Sequence, residues 1–148
     1  MVCILSLHEI KASDIMKEPI TIDSNASLEE AILKLINTGV GSLIVVENNK
    51  LVGIVTKRDI IWSIMYGGKN IVNTKVSEVM TKQLITVKPD TSLHDIVDIM
   101  LNNNISHLPV VDNDELIGII SDRDLVELLS EAIDVIKWYK EKIPEASE

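Results

Sequence analysis

The segment GIVTKRDII at residues 53–61 returns as GIISDRDLV at residues 118–126, with Asp59 and Asp124 in register at a shift of 65 residues. The match extends well beyond these nine positions. SLEEAILKLINTGVGSLIVVENNKLVGIVTKRDII, starting at Ser27, aligns without a gap on SLHDIVDIMLNNNISHLPVVDNDELIGIISDRDLV, starting at Ser92. Upstream, SDIMKEPITI (13–22) aligns on SEVMTKQLITV (77–87) with one inserted residue. The chain is therefore two copies of one unit. A unit of about 60 residues gains much by sharing its core, so the copies are expected to pack sheet against sheet about a pseudo-twofold axis.

The local signals in the two copies agree. PITI and LITV are short β-rich runs, and Ser27 and Ser92 each open a helix with an acid three residues on, Glu30 and Asp95, in the capping-box arrangement. Helical spacing gathers Leu28, Ala31, Ile32, Leu35 and Ile36, or Leu93, Ile96, Val97, Met100 and Leu101, on one face. Gly39 and the asparagines at 102–104 tolerate the left-handed cap that ends a helix. SLIVV and LVGIV, joined by ENNK, and HLPVV and LIGII, joined by DNDE, predict two hairpins. Helices starting near Lys57 and Asp122 complete two β-α-β-β-α repeats in an α/β fold. The predicted layout is an N-terminal segment (1–10), repeat 1 (11–66), a linker (67–74) within the Gly-containing break YGGKNIVNT, repeat 2 (75–131), and a helix extension with tail (132–148).

Composition narrows the function classes. The chain has 148 residues, 46% of them hydrophobic and only 3% aromatic, so its core is aliphatic and β-branched, suited to strands. The formal net charge of −9 opposes contact with phosphate backbones and anionic membranes. The single Cys3 cannot form an internal disulfide and fits a reducing compartment, and MVCILSLHEIK has too short an apolar run for a signal peptide or a membrane span. A cytoplasmic location is expected. His8, His94 and His107 show no metal-ligand spacing, and there is no phosphate-cradling lysine loop, nucleophile elbow or Ser/His/Asp set, so neither a resident metal nor catalysis is expected.

Taken in order and twice over, the DIM and EVM starts, GVGSLIVV and ISHLPVVD, and GIVTKRD and GIISDRD resemble the cystathionine-β-synthase (CBS) domain, which occurs as tandem pairs called Bateman modules. The resemblance covers residues 11–131. It implies a regulatory module that binds AMP, ADP, ATP or S-adenosylmethionine between its two copies. It also implies that the Ser/Thr-x-x-Asp after the last strand supplies an acid for both ribose hydroxyls. Carried over, Thr56 and Asp59 serve one site and Ser121 and Asp124 the other, with adenine held by the early strand of the partner copy. That nominates Leu84 and Ile85 opposite Asp59, and Pro19 and Ile20 opposite Asp124. His107 matches a position that is basic in some members and touches phosphate; it is assigned with Pro109 to the Asp59 site. Ser42, the counterpart of His107, is assigned to the Asp124 site. Lys57 and Arg58 are phosphate candidates for the first site and Arg123 for the second.

Residue chemistry supports that placement without settling it. A carboxylate can accept two hydrogen bonds from a cis-diol, and a helix N-terminus offers free N–H groups to phosphate. Gly53 and Gly118 lie in the preceding strands, where a missing side chain admits another backbone or a ligand. Yet Thr56/Asp59 and Ser121/Asp124 are also capping boxes, which need no ligand. With few cations converging, AMP or ADP is favoured over ATP, and magnesium is expected only with a polyphosphate. The stripe Leu125, Leu128, Leu129, Ala132, Ile133, Ile136 and Tyr139, beside Trp138, either caps its own core or meets a second copy, and family pairs that form homodimers favour the latter. The tail after Pro144 is expected to be disordered. The resulting expectation is a non-enzymatic energy sensor that binds an adenine nucleotide and signals to a separate effector protein. The rivals are a ligand-free assembly scaffold and, more weakly, a nucleic-acid binder.

Overall fold

The computed structural model describes residues 9–82 and 84–142. The elements run α1 (Ala12–Ile15), β1 (Thr21–Asp23), α2 (Leu28–Thr38), β2 (Ser42–Glu47), β3 (Lys50–Thr56) and α3 (Lys57–Met65) in the first half. A 3-10 turn (Val76–Glu78), α4 (Leu93–Asn103), β4 (His107–Asp112), β5 (Glu115–Ser121) and α5 (Asp122–Lys142) form the second. Both hairpins close through two left-handed residues, Asn48 and Asn49 at φ 52° and 63°, and Asn113 and Asp114 at 48° and 65°. Such a pair gives the turn whose twist matches the strands it joins. Gly39 and Asn104 end α2 and α4 in the left-handed region, as their residue types predict.

The halves differ in their first strand. β1 pairs parallel to β2 in a three-stranded sheet, whereas the second half has a two-stranded sheet and one parallel bridge, Val87 to Val110. The strand expected over residues 84–87 is thus reduced to a single bridge, and the reason is Pro109. In the first half the Ile44 amide donates to the Ile20 carbonyl at 2.9 Å. The counterpart of Ile44 is Pro109, which has no N–H to give. What survives uses other groups: Val87 donates to the Pro109 carbonyl at 3.0 Å, and Val111 donates to the Val87 carbonyl at 2.9 Å.

The lead-in segments cross between the halves. Ala12, Ile15 and Met16 pack into the core of Val87, Ile96, Met100, Leu108, Val110 and Ile120, in the second half. Val76, Val79 and Met80 join Leu28, Ala31, Leu35, Leu43, Val45 and Val55 in the first. The crossing is tied down by reciprocal backbone bonds. Ala12 donates to the Thr91 carbonyl and Val76 to the Ala26 carbonyl, each at 2.8 Å. Lys17 and Ile119 exchange two bonds of 2.9 Å, and their counterparts Thr81 and Ile54 exchange two of 2.9 and 3.1 Å. Equivalent residues thus make equivalent contacts about a pseudo-twofold axis, and β3 of one sheet meets β5 of the other.

This crossing explains Gly53 and Gly118. A Cβ on Gly53 would stand 2.5 Å from Met80 Sδ and 3.0 Å from the Thr81 carbonyl, and one on Gly118 would stand 2.5 Å from Met16 Sδ. The close approach expected at these glycines is made by the crossing segments, not by a ligand.

Other details refine the expected helices. Leu28, Ala31 and Leu35, and Leu93, Ile96 and Met100, are buried, but Ile36 and its counterpart Leu101 lie on the outside at 69% and 74% exposure. Ser27 and Ser92 cap α2 and α4 by accepting from the Glu30 and Asp95 amides at 3.1 Å. Among the described residues those two acids make no return bond, so these are half boxes only. α5 runs 21 residues against nine for α3, as its apolar stripe predicts. Among the described residues no helix is long and apolar enough to cross a membrane. Cys3, His8 and the tail after Pro144 lie outside the described residues.

Candidate ligand-binding clefts

Each long strand, β3 and β5, runs directly into a helix, and the junction is a complete reciprocal capping box. Thr56 Oγ1 accepts from the Asp59 amide at 3.1 Å, while Asp59 Oδ2 accepts from the Thr56 amide at 2.9 Å. Ser121 Oγ accepts from the Asp124 amide at 3.3 Å, and Asp124 Oδ2 accepts from the Ser121 amide at 2.8 Å. The box holds each carboxylate in one orientation, with Oδ1 left over. Capping and ligand binding are therefore compatible, because the cap uses only Oδ2.

A cleft of about 300 Å³ opens beside the first box. Thr56, Arg58 and Asp59 line it from one half; Leu84, Ile85, Asn104, Ser106, His107 and Pro109 line it from the other. The structure thus brings together seven of the eight residues assigned to this site. The eighth, Lys57, is a correction: it lines the other cleft. It is the first residue of α3, one place ahead of Arg58, and its amide donates to the Gly41 carbonyl at 3.2 Å. Among the described residues, Arg58 is therefore the one cation lining the Asp59 cleft.

The second cleft, about 480 Å³, is lined by Ile20, Ser42, Ser121, Arg123 and Asp124 from the assigned set, whereas Pro19 is not among its lining residues. It gains Lys17, Glu18, Lys57, Asp122 and Glu127, which the motif comparison missed. Lys17 is decisive here: its Nζ lies 2.8 Å from Asp124 Oδ1 and 2.9 Å from Glu127 Oε2. Hydrogen bonds that Lys17 donates to Asp124 and then to Glu127 hold its ammonium above its ordinary pKa. Thr81, the counterpart of Lys17, carries no charge, and Asp59 makes no ion pair with any described residue. The signal was present in the duplicated sequence as the mismatch of Lys17 with Thr81, legible only once the lead-in segments were known to cross.

His107 lines both clefts. Its Nε2 lies against Gly41, where an added Cβ would stand 3.2 Å away. Burial pushes the imidazole below its ordinary pKa, outweighing the pull of Asp122, Asp124 and Asp59. Against the expectation of a partly charged imidazole, burial favours the neutral ring.

Elsewhere, α4 brings His94, Asp95 and Asp98 within 4.8 Å of one another on its exposed first turns, with His94 Nδ1 3.1 Å from Asp98 Oδ2. The histidine spacing alone did not suggest that grouping. All three are exposed, and the pair sits at i and i+4 as helical ion pairs commonly do.

Two like halves with crossed lead-ins and a strand-end acid lining each interface cleft define a paired-repeat module. The CBS domain model matches twice, over residues 12–66 and 76–131, and the chain belongs to the CBS domain family. It is similar to the solved CBS domain pair of protein MJ0100 in complex with 5'-methylthioadenosine and S-adenosyl-L-methionine, with a TM-score of 0.76 and 33% identity. That match covers 83% of this chain and 98% of that one. A 17.7 kDa protein of Acidianus ambivalens is 37% identical over 110 residues, 73% of this chain and 65% of its own length. Inosine-5'-monophosphate dehydrogenase of Nitrosopumilus maritimus is 36% identical over 115 residues, 76% of this chain but 23% of the enzyme. The chain spans 41% to 65% of the length of the first three curated relatives it matches.

Proposed function

We propose that this CBS pair is a non-catalytic regulatory module that binds an adenosine-containing ligand, AMP or ADP in preference to ATP, in the cleft of Asp59. The observation that carries this reading is the Asp59 carboxylate: one oxygen is fixed by the cap, the other has no bond to a described residue, and Asp59 lines a cleft walled by Leu84, Ile85 and Pro109. The free oxygen faces the ribose diol, the apolar wall takes the adenine, and Arg58 with the His107 N–H meets a small phosphate charge. A triphosphate would bring more negative charge than one guanidinium offsets. The adenosyl ligands of the MJ0100 pair support the class of ligand.

The module would signal to a separate effector protein. The exposed Ile61, Trp62 and Met65 of α3 and Leu129, Ile133, Ile136 and Trp138 of α5 give it faces on which two copies can meet as a homodimer. Ligand closing the cleft would shift these two helices, since both start at the capping boxes.

Calorimetry with AMP, ADP, ATP and S-adenosylmethionine tests the reading on wild type and Asp59→Asn. The asparagine oxygen keeps the cap bond, but its amide N–H₂ cannot accept from a hydroxyl. The expected outcome is submillimolar binding of AMP or ADP, weakened at least about tenfold in Asp59→Asn. Binding of none of the four below millimolar, or unchanged affinity in the variant, overturns the reading and leaves the ligand-free scaffold.

A further inference from the structure

We propose that Lys17 sets the ligand stoichiometry of this module: by occupying Asp124 it withholds the second cleft, so that one chain takes a single adenosine ligand, at Asp59. The inference rests on the ribose reading of Asp59 given above. Asp124 has both oxygens engaged, Oδ2 by the Ser121 amide at 2.8 Å and Oδ1 by Lys17 at 2.8 Å. A diol arriving there must compete with the ammonium for Oδ1 of a carboxylate whose side chain is 7% exposed. Asp59, held by the same cap, meets no such cation.

Lys17 is also fixed from two further directions. Its backbone exchanges both hydrogen bonds with Ile119, which sets where the side chain starts. Its tip is shared with Glu127, which lies 3.6 Å from Arg123 Nε as well. Neither holding group exists at the first cleft, where Glu127 is replaced by Trp62 and Lys17 by Thr81. Lys57 and Arg123 also line the second cleft and stay available to a phosphate when Lys17 is replaced; what Lys17 takes up is the ribose acceptor, Asp124 Oδ1. Losing one charge-assisted hydrogen bond of this kind weakens binding by roughly tenfold to a hundredfold.

Calorimetric titration with AMP of wild type, Lys17→Thr and Lys17→Met, each also in an Asp59→Asn background, tests this. Threonine is the residue the fold already carries at the counterpart position. Methionine keeps an unbranched stem without the charge, and thermal melts check that both variants fold. Wild type is expected to bind about one AMP per chain and the Lys17 variants about two. In the Asp59→Asn background, binding is expected to fall away with Lys17 present and to return as one equivalent in Lys17→Thr. Two equivalents in wild type, or one in every Lys17 variant, overturns the role of Lys17 while leaving the Asp59 reading intact. No binding in any protein overturns both.

Discussion

The two halves of this molecule began as the same sequence and ended as unequal partners. Each has an amphipathic helix, a hairpin closed by two left-handed residues, and a strand that ends in a complete capping box. The first half keeps a third strand because Ile44 has an amide to give; the second loses it because Pro109 does not. Among the described residues, the first acid, Asp59, has no ion pair beyond its cap; the second, Asp124, is held by Lys17. Duplication supplies two clefts, and a few side chains at the crossing make them unlike. The fold tolerates such differences because the shared core, not the cleft, fixes the geometry.

That shared core gives the largest test of the comparison. Leu43 and Leu108 are equivalent residues, each fully buried, one per half. Either Leu→Ala change is expected to lower stability by about 2–5 kcal/mol, from lost burial and the cavity left behind. Each core contains a lead-in segment from the other half, so the halves are expected to unfold together. Denaturant unfolding followed by circular dichroism should show one transition, displaced in both variants. Two separable transitions, with each variant moving only its own, would mean that the crossing does not couple the halves.

A smaller effect probes the crossing itself. Gly53→Ala would set a methyl 2.5 Å from Met80 Sδ and 3.0 Å from the Thr81 carbonyl, so the Met80 side chain has to move. The expected cost is about 1–3 kcal/mol, typical of overpacking. Adding Met80→Ala removes the nearest atoms but not the carbonyl, so the double variant should lose less stability than the sum of the single ones. Additive losses would show that Met80 does not press on Gly53.

Much of this fold could be read from the repeat. The hairpins, the helix stops and the strand-end boxes rest on local chemistry, such as asparagines that accept a left-handed backbone and serines that accept an amide. The crossing could not be read, because nothing local at Ala12 or Val76 says which of two similar cores receives it. That one ambiguity hid the rest. With the crossing unknown, Gly53 and Gly118 looked open to a ligand, and Lys17, 107 residues ahead of its partner Asp124, did not enter the site. Lys57 was placed in the wrong cleft because adjacent residues at a helix start point to different sides. Pro109 was a visible exception: a proline on a strand marks an edge whose amide side cannot be paired.

The smallest expected effect lies at His107, where the two clefts meet. Its imidazole is partly buried and its pKa lies below the ordinary 6.5, with desolvation as the main cause. In the unfolded chain the same ring would take up a proton near pH 6.5. Between that value and its lower folded pKa, the unfolded state therefore binds more protons, and stability rises with pH. The contribution is complete above pH 6.5 and is lost as pH falls through the folded pKa. Asp59, Asp122 and Asp124 limit the loss, since they attract the imidazolium that burial disfavours. Lys17, Lys57 and Arg123 line the second cleft with His107, and Arg58 lines the first. His107→Gln keeps a polar side chain but has no proton to gain. Thermal melts from pH 7.5 to pH 5 should therefore fall less steeply for the variant than for wild type. Matching slopes would place the neutral imidazole in doubt, and with it the claim that the Asp59 cleft offers a phosphate only one positive charge.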